Sequence, residues 1–199
     1  MEQLTCSLER TPLLLTEMSR MDKEVLMPRV AVLTFGIFPS EITESRLQSF
    51  RNVAQPVFSG AESVRGFIRL VEEKTEKAAP LSRFLTADRL IGSAETLSLW
   101  THLEPLFAFA YHGLHAEALS RRTEWFVKPE FPNHVLWWAD DQHTPDWREA
   151  YQHHEYLYEN GPTPYAFNFK RPFDALGNPT QLDRDAIKRI QKSSNPSEG

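Results

Sequence analysis

The order in which two kinds of apolar spacing succeed each other constrains this chain's fold most. Val30-Ala31-Val32-Leu33-Thr34-Phe35-Gly36-Ile37-Phe38 is a β-branched and aromatic run of strand length. Pro39-Ser40 breaks it, and Ser40, Thr43 and Glu44 then resemble a helix start, with apolar positions at Ile42, Leu47, Phe50, Val53, Ala54 and Val57. After Gly60, the residues Val64, Phe67, Ile68, Leu70 and Val71 predict a second strand. Residues 72–83 are charged or small, with Pro80 among them, and read as a long loop or a short helix. Residues 84–91 read as a partial strand, and 95–101 alternate more clearly. The longest helical pattern runs over 104–126, with Leu106, Phe107, Ala110, Tyr111, Leu114, Ala118, Leu119 and Phe126 at helical spacing. Gly113 lies inside it as a kink or a close backbone approach, and Pro129 and Pro132 end it. Residues 135–139 form a buried-looking strand. Thr144 as cap and Pro145 at the first helical position open a further helix, which carries Trp147, Ala150, Tyr151, His154 and Leu157 and stops at Asn160-Gly161-Pro162. A last strand is expected at 166–169 and a short helix at 182–190.

Strand, helix, strand, strand, helix, strand is the split βαβ order, so the expected class is α+β, ferredoxin-like, with an added C-terminal helix and strand. The domain is placed at 29–173, between an N-terminal extension (1–28) and a polar tail (174–199). A sheet of this kind carries helices on one face only. The other face must be covered by a partner, by the extension or by a ligand, which points to a homodimer or a pocket beneath the helices.

Composition narrows the partners. Twenty-two Lys and Arg against 27 Asp and Glu leave a formal charge of −5, which disfavours binding to nucleic acid. No apolar run approaches the roughly 20 residues of a membrane helix. The lone cysteine, Cys6, excludes an internal disulfide framework and a multi-cysteine metal site. A reducing, cytoplasmic setting is expected.

The stretch Tyr111-His112-Gly113-Leu114-His115-Ala116-Glu117-Ala118-Leu119-Ser120-Arg121-Arg122-Thr123-Glu124-Trp125-Phe126 is followed by His134-Val135-Leu136-Trp137-Trp138, His143-Thr144-Pro145, Glu149-Ala150 and Gly161-Pro162-Thr163-Pro164-Tyr165-Ala166-Phe167-Asn168-Phe169. This series resembles a family of single-domain proteins of unknown general function, near the antibiotic-biosynthesis monooxygenases in the dimeric α+β barrel superfamily. The resemblance spans roughly residues 30–173 and is densest from 111 to 169. It implies a dimeric ferredoxin-like barrel. It also opens a range of chemistry, from cofactor-free oxygenation and haem-dependent reactions to decarboxylation, isomerisation and the cyclisation of natural-product intermediates. It carries no set of catalytic residues with it.

The residues themselves put forward Tyr111, His112 and His115. At spacings of three and four on one helix they share a side, and a histidine with a neighbouring phenol can move a proton and polarise a carbonyl. The structural alternative is a half-buried His115 bonded to a backbone carbonyl, with Tyr111 packed on the sheet. His115 could also serve haem as proximal ligand, but a histidine alone does not specify that, and no cofactor is expected. His112 and His115 lack a third metal ligand, and His153-His154 point to different sides of their helix, so no metal is expected. Arg122 is a candidate for a substrate carboxylate. The alternative pairs Arg121 or Arg122 with Glu117, Glu124 or a C-terminal carbonyl. Phe35, Trp100, Trp125, Trp137 and Trp138 either build an aromatic core or line an apolar cavity. Trp137 and Trp138 must face opposite sides of one strand. Dinucleotide, P-loop and nucleophile-elbow motifs are absent. The expected function is a cofactor-independent enzyme of specialised (natural-product) metabolism that cyclises or rearranges a hydrophobic small molecule, with a pericyclic reaction among the routes open to it. A monooxygenase and a non-catalytic binding module are the alternatives.

Overall fold

The computed structural model describes residues 27–71 and 92–193. Most of the expected extension, the loop at 72–83, the partial strand at 84–91 and the last six residues lie outside the described residues. The elements are β1 (Arg29–Ile37), α1 (Glu44–Glu62), β2 (Phe67–Leu70), β3 (Ser93–Trp100), α2 (Leu103–Ala110), α3 (Gly113–Arg121), β4 (His134–Ala139), α4 (Trp147–Asn160) and α5 (Arg184–Ser193). The strands form one antiparallel sheet in the order β2-β3-β1-β4. That order, with helical crossovers from β1 to β2 and from β3 to β4, is the ferredoxin-like arrangement expected from the pattern.

β1 is central: Val30 lies opposite Trp100 of β3 on one side and Trp138 of β4 on the other. Its residues from Val30 to Leu33 are all buried, because both faces of the sheet are covered. The two-residue period of a strand divides them. Val30 and Val32 join Trp100, Leu136, Ala61 of α1 and Leu103 and Leu106 of α2. Ala31, Leu33 and Phe35 join Leu97, Leu99, Val135, Trp137 and, from α4, Trp147, Ala150, Tyr151 and Leu157.

This corrects one inference from the sequence. The added helix α4 lies on the sheet face that was expected to need a partner, the extension or a ligand. The chain covers that face itself, and the argument from an open face to a homodimer or to a pocket there no longer holds.

Three local departures have definite causes. The helix expected over 104–126 is two helices: Gly113 takes φ +54°, a left-handed conformation that interrupts helical hydrogen bonding and suits glycine. α4 starts two residues later than expected, because the carboxylate of Asp146 accepts the Glu149 backbone N–H at 2.8 Å and so supplies the cap. Thr144 instead accepts a hydrogen bond from the Arg69 guanidinium. The expected strand at 166–169 is reduced to isolated bridges at Phe167 and Asn168. Phe167 and Leu136 exchange two backbone hydrogen bonds of 2.9 Å, after which Asn168 Oδ1 accepts the amides of Lys170 and Arg171 and turns the chain.

Candidate functional site

A cleft of about 580 Å³ opens where the C-terminal end of α1, the α2–α3 junction and α5 fail to close on one another. That volume is of small-molecule size. Val57, Gly60 and Ser63 contribute from α1 and its cap, Phe109 and His112 to His115 from the junction, and Ile190 from α5. Glu117 brings a carboxylate to the wall.

His115 is the chemically distinctive group there. Its Nδ1 lies 2.9 Å from the Ala110 carbonyl, which can only accept, so Nδ1 carries the hydrogen and Nε2 of the neutral ring keeps a lone pair. Burial pushes the His115 pKa down, against the opposing pull of that carbonyl. The imidazole is therefore neutral at pH 7 and suited to accept a proton. The Phe109 ring packs 4.8 Å away. His112 is the N-cap of α3, but its side chain makes no capping hydrogen bond. The first-turn amides of Gly113, Leu114 and His115 thus lack a side-chain cap beside the cleft, and such amides carry partial positive charge.

The three residues expected to share a helix side are divided by the helix break. His112 and His115 line the cleft. Tyr111 ends α2 and turns elsewhere, 4.6 Å from the Phe107 ring and 5.7 Å from Phe169. Burial raises its pKa.

Of the two arrangements open to these aromatics, core or cavity wall, the structure places them in the core. Trp100, Trp125 and Trp137 are almost fully buried, and Phe35 is buried with them; none lines the cleft. Their polar edges are satisfied inside the protein: Trp100 Nε1 donates to Ser98 Oγ at 3.0 Å and Trp125 Nε1 to Ser49 Oγ at 3.3 Å. Trp137 Nε1 donates to Glu149 Oε1 at 2.8 Å, and Trp138 Nε1 to the Phe173 carbonyl at 2.8 Å. Phe35 meets His154 edge-on at 4.9 Å. Phe109 is the ring that reaches the cleft. Arg122 donates to the Leu119 carbonyl at 2.8 Å, capping α3, while Arg121 pairs with Glu124 and lies over Trp125. The arginines close the end of the helix, and neither borders the cleft.

Sequence reasoning missed the polar cluster on the α4 face. Glu149 Oε2 accepts from His143 Nε2 at 2.5 Å, and His153 Nε2 stands 3.7 Å from Oε1. Burial alone would raise the Glu149 carboxyl, but His153, His143 and the Trp137 indole outweigh it and hold it at about 2. His153 stacks on Trp137 at 4.6 Å and on Tyr165 at 4.1 Å. The usable signal was Glu149 three residues after a capping Asp and four before His153. Among the described residues no group of three or more His, Cys, Asp and Glu side chains is placed to hold a metal ion, and no helix is long and apolar enough to cross a membrane.

Sheet order and helix placement define a ferredoxin-like α+β protein with a small-molecule-sized cleft between its helices. More narrowly, the chain belongs to the family described as "Domain of unknown function (DUF3291)", whose model matches residues 29–183, in keeping with the uncharacterised family expected from the motifs. No curated protein matches the sequence. Among solved structures, a conserved protein from Methanosarcina mazei Go1 is similar at 12% identity and a TM-score of 0.39, covering 57% of this chain and 92% of its own. A Nitrosomonas europaea protein described as a "Putative antibiotic biosynthesis monooxygenase" is similar at 6% identity and 0.39, with 61% and 96% covered. A second protein from that organism, NE2512, of unknown function, gives 11% and 0.37, with 60% and 95% covered.

Proposed function

We propose that this protein is a cofactor-independent enzyme of specialised metabolism that rearranges or cyclises a hydrophobic carbonyl compound in the cleft. The observation that carries the reading is His115, a neutral imidazole whose tautomer is set by the Ala110 carbonyl and whose ring lines the cleft. Nε2 takes a proton from the carbon beside the substrate carbonyl. The electron pair passes to the carbonyl oxygen, and the uncapped amides at the start of α3 receive the charge. Return of the proton from Nε2 to a different carbon shifts the double bond. Attack of the enolate carbon on a second carbonyl of the same molecule closes a ring: the new C–C bond forms as that C=O π pair moves to its oxygen, which takes the proton back from Nε2. Apolar walls hold the substrate in a reactive shape, a contribution worth several kcal/mol at best.

The test is deuterium uptake from D2O, followed by NMR, into small β,γ-unsaturated cyclic ketones. Wild-type protein accelerates uptake, with a rate that rises with pH through the lowered His115 pKa and levels off above about 6.5. His115→Gln lowers the rate at least ~100-fold. Full turnover in that variant, or a Soret band in the purified protein, would overturn the role given to His115.

A further inference from the structure

Of the glycines at 36, 60, 66, 113, 161 and 177, five are explained by the fold. A Cβ on Gly36 would stand 2.6 Å from the Phe126 ring, and Gly66, Gly113, Gly161 and Gly177 take positive φ. Gly60 has neither reason. It lies in the last turn of α1, outside the positive-φ set, and the C-cap is Ser63. A Cβ built on it meets no atom within 4 Å. A helical glycine weakens its helix relative to alanine, so the fold itself would be better served by a methyl group.

Gly60 also lines the cleft. We infer that it is a clearance residue, whose missing side chain lets a flat, uncharged ketone lie against the backbone of α1. Phe109 supplies a ring on which such a molecule stacks, and the Glu117 carboxylate in the same wall disfavours anions. The small residue sets which shapes enter, and His115 acts on those that do. This inference rests on the proposed use of the cleft, and it names the ligand class more narrowly.

The experiment titrates wild-type, Gly60→Ala, Gly60→Leu and His115→Gln proteins with 1-acetonaphthone by NMR, and records each Tm without ligand. Gly60→Ala is expected to raise Tm by roughly 1–3 °C and to weaken 1-acetonaphthone binding about tenfold. Gly60→Leu should abolish binding. Equal affinity in wild type and Gly60→Ala overturns the clearance role and leaves the function of His115 standing. A lower Tm in Gly60→Ala overturns it too, since glycine would then serve the fold. Weakened binding in Gly60→Ala alongside full deuterium uptake in His115→Gln keeps the clearance role and removes the proposed chemistry. A wild-type protein that does not bind 1-acetonaphthone overturns the ligand class.

Discussion

The two faces of the sheet solve the same problem in different ways. On the α4 face, polar groups are drawn inward and spent on one another. Trp137 donates to Glu149, Tyr151 Oη donates to Glu95 Oε2 at 2.7 Å, and His154 Nε2 lies 2.7 Å from the Pro132 carbonyl. These bonds run between different elements, so they position α4. On the opposite face, α1 and α2 cover the strands closely, but the second layer of α3 and α5 leaves the cleft. There His115 bonds locally, to the end of α2, while Trp125 and Trp138 donate to Ser49 and to the Phe173 carbonyl. Polar bonds between elements mark the face that holds the fold; an imidazole lining a cavity marks the face available for chemistry.

That contrast can be broken most directly at Trp137. Trp137→Ala should cost about 3–5 kcal/mol in urea unfolding, because it opens a large cavity and removes one of the donors to the Glu149 carboxylate. A loss below about 1 kcal/mol would show that the α4 face is not the stabilising one.

The faces should also separate by pH. Burial, with the charges of His154 and Lys170 adding to it, pushes the pKa of His134 down to about 4. Because the fold favours the neutral ring, its contribution is complete above pH 6.5 and is lost as pH falls toward 4. The loss amounts to at most about 3 kcal/mol. Glu149, depressed to about 2, favours its ionised form. Its contribution is complete above about 4.5 and is lost only as pH falls toward 2. His134→Phe should therefore flatten the stability profile between pH 6.5 and 4 and leave the slope below 4 intact. An unchanged slope between 6.5 and 4 would assign that loss to another group.

The smallest expected effect sharpens the picture. Glu149→Gln keeps the shape but removes the charge that two histidines and an indole address, and should cost about 1–2 kcal/mol at pH 7. No change in Tm would reduce the cluster to a surface ion pair, whose median worth is about 0–1 kcal/mol.

The strands were legible because their signal is local: β1, β3 and β4 fall within a residue or two of where alternation and β-branched runs placed them. The interruption at Gly113 was legible as a kink or a close approach, but not as a full break between α2 and α3, because a positive φ leaves no trace in apolar spacing and Leu114 and Ala118 continue the period across it. That single angle also separated Tyr111 from His115. The tryptophans show a different limit. Composition can count indoles, but whether one lines a cavity or fills a core depends on other elements, as when Ser49 of α1 accepts the Trp125 N–H and Glu149 of α4 that of Trp137. Likewise the α4 helix was visible and its side of the sheet was not, since an amphipathic stripe states that it must be buried and leaves open against what. Of the candidate site, His112 and His115 could be found in sequence; Gly60 needed the knowledge that nothing stands where its side chain would be.

The placement of α4 has a consequence for how the protein responds to dilution. Residues 140–146 tether that helix to β4, so its effective concentration above the sheet is set by the tether, roughly in the millimolar range. Covering the second face is a unimolecular event, and mass action does not enter it. Whatever surfaces this protein offers to other molecules, closing its own hydrophobic sheet does not depend on how many copies are present.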